Sequence, residues 1–163
     1  VTVGANVGNL PWEFQDQSGE IVGFEVDLAK EVAKRLGYDG VDIQNIPFNG
    51  LFSAVQSGRI DMAVSSITIT EKRLESVSFA QPYYDSDQSL TVLAKSGLSK
   101  VEDLKGKSVG VDTGSTGDMW ATQNQAKYGF GDIRRFEGLQ PAMLNLLRAG
   151  VCGQVSTGSS QPL

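Results

Sequence analysis

Between residues 24 and 36 the apolar positions are Phe24, Val26, Leu28, Ala29, Val32, Ala33 and Leu36, and Gly37 follows. That period, near 3.6, predicts an amphipathic helix closed by a glycine C-cap. Upstream, Val1 to Ala5 reads as a short strand and Asn6 to Asn9 as a polar turn. Pro11-Trp12-Glu13-Phe14 alternates, Ser18-Gly19 supplies a turn and Ile21-Val22 returns, a hairpin-like excursion. Downstream, Val41 to Ile46 alternates as a strand. Phe48, Leu51, Phe52, Ala54 and Val55 then predict a helix ending at Ser57-Gly58. Ile60 to Ser65 reads as a buried strand, Glu71 to Ser76 as a short helix or turn with Thr70 as a candidate N-cap, and Val77 to Ala80 as a brief extended piece. Strand and helix thus alternate over the first eighty residues, which predicts a mostly parallel sheet covered by helices.

The pattern then lapses. Gln81 to Ser89 is polar, holds Pro82, Tyr83 and Tyr84, and has no period. Such a stretch reads as a link between sub-domains. The alternation restarts with a strand at 90–94, a helical turn at 101–104, a strand at 108–111, a helix at 116–126, a strand at 132–136 and a helix at 139–149. No fixed-period repeat is present, so two related α/β lobes are expected rather than a solenoid. The expected boundaries are lobe 1 over 1–84, a hinge over 85–89, lobe 2 over 90–150, and a Gly/Ser-rich tail over 151–163.

Composition removes several function classes. The chain has 163 residues, 40% of them apolar, and a net charge of −5. The acidic balance, with no basic stripe interleaved with aromatics, argues against nucleic acid. No apolar run approaches the roughly 20 residues that span a bilayer, and no signal-peptide pattern opens the chain, so any leader is expected to be absent. With no histidine and a single cysteine, zinc sites, histidine-based triads and intrachain disulfides have no residues to build on. No metal site, cofactor or catalytic group is expected.

Four places follow strands, where ligands collect in open α/β sheets. They are Asn6 to Trp12, Phe48, Ser65 to Arg73, and Gly114 to Gly117. In the third, hydroxyls and backbone N–H groups lie near Arg73, whose planar fork of donors matches a carboxylate; the alternative is a solvated loop with a surface Arg. The Gly-Ser-Thr-Gly turn is either an anion site at a helix N-terminus or an ordinary helix cap. It lacks the lysine of a phosphate loop, so nucleotide hydrolysis is rejected. Trp12 and Phe48 either pack in a core or face a cleft. Asp112 and Asp118 could meet an ammonium, though solvated surface carboxylates are commoner.

Together these residues resemble a known family. Gly23-Phe24-Glu25-Val26-Asp27-Leu28 with Val32-Ala33 and Leu36 is similar to the signature helix of the family-3 extracellular solute-binding proteins, the periplasmic amino-acid receptors of ABC importers. Pro11 to Phe14, Phe48 to Leu51, Ser65 to Arg73, Phe79 to Tyr84, Leu104 to Val111 and Gly114 to Thr116 follow in the family's order, a resemblance over about residues 1–150. It implies a two-lobe architecture of the type II periplasmic-binding-protein kind, each lobe a mostly parallel sheet flanked by helices, with a free amino acid clamped between lobes. It further implies that Arg73 grips the α-carboxylate, that Ser65, Ser66, Thr68, Ser115 and Thr116 assist with hydroxyls and N–H groups, and that Phe48 stacks on the ligand's side chain. Asn6, Asn9 and Trp12 complete the expected ligand-binding set; Asn6 and Asn9 stand where the family often has an acidic or aromatic contact. ABC permease subunits are the implied partners, and a periplasmic or extracellular location is implied.

The chain departs from the family after Gly150. Val151 to Leu163 carries neither the aspartate that binds the α-ammonium nor a return crossing to lobe 1. It reads as truncated, with binding expected to be impaired. Uncovered sheet edges and helix faces would favour a homodimer, with elements exchanged between copies. The alternatives are a self-associating fragment without a ligand and a dehydratase on the same scaffold.

Overall fold

The structure, a computed structural model, describes residues 1–138 and the backbone of 152–156. Among the described residues it divides into two units, unit 1 over Val1–Ser86 and unit 2 within Asp87–Thr157. The helix expected over 139–149 lies outside the described residues.

Unit 1 is built on β1 (Thr2–Ala5), which pairs in parallel with β4 (Asp42–Asn45) on one side and β5 (Met62–Ala63) on the other. Val3 faces Ile43 and Met62 in the two registers. Val3, Gly4 and Ala5 are all buried, as expected of a strand with side chains packed on both faces. On one face α2 (Phe48–Gln56) covers Gly4: a Cβ there would lie 2.5 Å from Ile60 Cδ1 and 3.0 Å from Leu51 Cδ2. Ile46, Phe48, Leu51, Ala54 and Ile60 form the core on this side. The hairpin is present as β2 (Phe14–Gln15) and β3 (Ile21–Val22).

The long helix α1 (Phe24–Arg35) is the one the periodicity predicts, with Leu36 as C-cap and Gly37 in the left-handed region at φ 83°. Its buried stripe, however, is Glu25, Val26, Ala29 and Ala33, while Phe24, Val32 and Leu36 are exposed. The strand expected over 60–65 contracts to β5. Asp61 and Val64 still donate to Thr2 and Gly4 carbonyls, but Ser66, at φ 47°, turns the chain out of the sheet. A short helix α3 (Glu71–Leu74) follows, and the Thr70 hydroxyl accepts from Arg73 N as the expected N-cap. No strand forms over 77–80; Val77 N instead closes the helix end on the Arg73 carbonyl.

Unit 2 holds β6 (Gln88–Thr91), a 3₁₀ turn (Val101–Leu104), β7 (Ser108–Asp112), α4 (Thr116–Tyr128), β8 (Asp132–Phe136) and β9 (Cys152–Ser156). Its sheet runs β6-β9-β7-β8, with β6 antiparallel to β9 and the other pairs parallel. Leu104, Val109, Val111, Ala121 and Phe130 form the core. Two expectations change here. The strand placed at 90–94 begins earlier, at Gln88. Residues 152–156, expected in a Gly/Ser-rich tail, form a strand with a partner on each side. Ladder bonds use backbone groups alone, so a strand between two others needs no apolar signature.

Gly23 sets the entry to α1. Its φ is 132°, and a Cβ there would collide with the backbone carbonyl of Trp12, which cannot swing aside as a side chain could. Gly23→Ala is therefore expected to lower unfolding free energy by about 2 kcal/mol or more, read from urea denaturation.

Candidate functional site

At the ends of β1 and β5 four segments are tied to one turn. Asn6 N donates to Ser65 Oγ at 3.0 Å, and Ser65 Oγ donates to Glu13 Oε1 at 2.8 Å. Asn9 Nδ2 donates to Ser66 Oγ at 3.2 Å. Ser66 gives both its N–H (2.7 Å) and its hydroxyl (3.1 Å) to Glu25 Oε1, which also accepts from the Tyr83 hydroxyl at 2.5 Å. These bonds hold Ser66 in the left-handed conformation that L side chains rarely adopt. The Ser65 and Ser66 hydroxyls and the Ser66 N–H donate to Glu13 and Glu25 and so shape the turn.

Beyond the turn stand Thr68 and Arg73, both buried. Arg73 Nη1 donates to the Thr68 carbonyl at 2.8 Å. The guanidinium carbon lies 5.3 Å from the Phe48 ring centroid and 5.0 Å from that of Phe52, close enough for cation–π attraction. Burial lowers the Arg73 pKa to about 10, which leaves it charged at neutral pH. The solvated-surface alternative for this Arg is thereby overturned. Phe48 is a core residue, 7% exposed and edge-on to Phe52. Trp12 is half-buried, with its ring edge-on to Phe24 at 5.6 Å and Tyr84 at 4.7 Å.

Unit 2 presents the Gly114–Thr116 turn. Gly114 has φ 76°, and Ser115 caps α4 by accepting from Asp118 N at 3.1 Å. Thr116 Oγ1 accepts from Gln88 Nε2 at 3.0 Å. Asp112 and Asp118 are not the solvated carboxylates expected. Asp118 accepts from Gly114 N (3.1 Å), Thr122 Oγ1 (3.2 Å) and Arg135 Nε (2.9 Å); Asp112 accepts from Gly138 N at 3.0 Å, and burial raises its pKa. Each is committed to the loop around the helix N-terminus.

Sequence reading singled out neither Glu13 nor Glu25. Both are fully buried, at 1% and 0% exposure. A signal was present for each. Alternation sets Glu13 opposite Trp12 and Phe14, and Glu25 lies four and eight residues before Ala29 and Ala33, on the buried stripe of α1. Beside this region unit 1 has a largely apolar groove of about 360 Å³, lined by Leu28 and Val32 of α1, Phe52 and Val55 of α2, Val64, and Phe79. Among the described residues no acidic or cysteine cluster could hold a metal ion, and no helix is long and apolar enough to cross a membrane.

The described units are mixed α/β, with parallel strand pairs and helices that follow strand ends. The chain belongs to the bacterial extracellular solute-binding proteins, family 3, whose sequence model matches residues 1–159. That match runs past residue 150, where a non-family tail was expected. The chain is 35% identical over 128 residues to the arginine-binding extracellular protein ArtP of Bacillus subtilis (strain 168), covering 78% of this chain and 49% of that protein. It is 34% identical over 139 residues to the histidine-binding periplasmic protein of Escherichia coli (strain K12), covering 85% and 53%. It thus spans about half the length of these relatives. Among solved structures, an ancestral arginine-binding protein bound to arginine superposes with a TM-score of 0.86 at 35% identity, covering 94% of this chain and 68% of that one.

Asp118 accepts from Gly114 N and pairs with Arg135, and Asp118→Ala removes both bonds. A loss of about 1–3 kcal/mol is expected, read as a lowered thermal midpoint.

Proposed function

We propose that the chain binds a free amino acid, without transforming it, as the receptor component of an ABC-type importer in the periplasm or outside the cell. The observation that carries this reading is Arg73: a charged guanidinium, 7% exposed, fixed by the Thr68 carbonyl and backed by Phe48 and Phe52. A buried Arg whose stem and plane are already held loses little freedom on meeting a carboxylate, and the fork-to-fork geometry favours that partner. Thr68 assists at the carboxylate, and the Ser115–Thr116 turn is the contribution assigned to unit 2. Trp12, half-buried, is the aromatic surface assigned to the ligand's side chain, and Phe48, in the core, backs Arg73 instead of stacking on the ligand. Asn6 and Asn9 act beside Trp12, with Ser65 and Ser66 shaping the turn. ABC permease subunits are the partners this reading assigns.

Calorimetry with a panel of amino acids tests it. At least one is expected to bind, and Arg73→Ala is expected to weaken that binding by about 2–5 kcal/mol, the usual loss on truncating one member of a buried charge pair. Binding that survives the change unaltered would remove the carboxylate assignment. Silence across the whole panel would favour the self-associating fragment.

A second part of the reading concerns assembly. In unit 1, β5 has a partner only in β1 among the described residues, and the apolar groove lies alongside it. An open strand edge next to an apolar groove invites a further strand. We assign that place to a second copy of the chain, with exchange of elements between copies. Light scattering is expected to give the mass of a dimer at micromolar concentration; a stable, folded monomer there would overturn it.

A further inference from the structure

We propose that Glu13 and Glu25 form a proton-sharing carboxyl pair whose joint hold on Ser65 and Ser66 positions the turn leading to Thr68 and Arg73. The proposal rests on the amino-acid reading for its purpose, but not for its chemistry.

Both carboxyls are buried, and among the described residues neither has a cation as a hydrogen-bond or ion-pair partner. Glu13 Oε1 accepts from Ser65, and Glu25 Oε1 takes three donors from Ser66 and Tyr83. The second oxygen of each, Oε2, is buried with no donor among the described residues. Two bare carboxylates cannot share such a site: burial disfavours each charge and the charges repel. One proton bridging the two carboxyls would satisfy both orphaned oxygens at once. Burial, followed by a hydrogen bond to Glu25 and the charge of Glu25, raises the Glu13 pKa far above its ordinary 4.5. Glu13 is thus the member that carries the proton. Three donors, the Ser66 N–H and hydroxyl and the Tyr83 hydroxyl, converge on Glu25 Oε1. The groups facing the pair are Tyr83, whose phenol is pushed above its ordinary range by burial and by Glu25, and the neutral Asn9, Ser65 and Ser66. One proton therefore links the hairpin region, the first turn of α1, the end of β5 and the segment bearing Tyr83.

The sign of the resulting pH dependence is fixed. Above pH 4.5 the unfolded chain releases the Glu13 proton while the folded chain keeps it. The stabilisation is complete below that pH and declines as pH rises toward the raised value. A single retained proton lowers the folding constant by up to about tenfold per pH unit in that window.

Isotope-edited infrared spectroscopy of the full chain without ligand is the primary test. A protonated-carboxyl C=O band is expected at pH 7 and is expected to vanish in Glu13→Gln; its absence from the wild type overturns the pair. Denaturation between pH 5 and 9 should show the decline in the wild type and a flatter profile in Glu13→Gln; equal slopes overturn the assignment to Glu13. If that variant fails to fold, the wild-type band still decides. For the positioning role, Glu13→Ala is expected to weaken amino-acid binding by about tenfold or more, the worth of one buried hydrogen bond to a charged group. Glu13→Gln should recover most of that loss, because its amide N–H can replace the shared proton. Alanine binding like the wild type overturns the role. A missing band leaves the amino-acid reading standing, and absence of amino-acid binding leaves the band standing, so the two failures are distinguishable.

Discussion

Three donors meeting one oxygen of Glu25 fix the turn that follows β5 in unit 1. Without them nothing offsets the cost of Ser66 at φ 47°, a conformation worth roughly 1–3 kcal/mol of strain in a non-glycine residue. Were Ser66 to relax, the chain would continue the line of β5, and Thr68 and Arg73 would be carried elsewhere. The acid is there because α1 begins where it does. Gly23 admits a close approach to the Trp12 carbonyl, and that approach delivers Glu25 to the turn. Backbone geometry at one residue thus decides where a charge two positions later can sit.

Arg73 illustrates the same economy of support. Its helix has a single turn, too short to be stable by itself, so position comes from the Thr70 cap, the Thr68 carbonyl and two aromatic rings. Burial lowers its pKa, yet not to a value that would discharge it near neutrality. The result is a cation whose geometry is set before any ligand arrives, the condition under which binding energy is least eroded by ordering.

Much of this was legible in the residues. The 3.6 period from Phe24 to Leu36, the Thr70 cap, the strand at 132–136 and the switch of character near Gln81 all follow from local pattern, and local pattern is what a single sequence carries. The phase of α1 was harder. Phe24, Val32 and Leu36 belong to the apolar periodicity yet are exposed, whereas Glu25 is not apolar yet is buried. Spacing places Glu25 in line with Ala29 and Ala33, but the donors that make its burial tolerable come from Ser66 and Tyr83, 41 and 58 residues away, where local pattern does not reach. β9 was missed for a related reason: Cys152-Gly153-Gln154-Val155-Ser156 has the composition of a loop, and only its neighbours make it a strand.

The central place of β9 bears on the order in which the molecule can assemble. The strands and helices of unit 1 lie within the first 86 residues, so its sheet can close while the rest of the chain is still being made. Unit 2 differs. Its first strand, β6, reaches the remainder of the sheet only through β9, and β9 arrives more than sixty residues later. Until Ser156 has emerged from the ribosome, β6 has no strand to join and β7 has one open side. Among the described strands, those of unit 1 are therefore all synthesised before β9, the strand that joins β6 to β7 in unit 2.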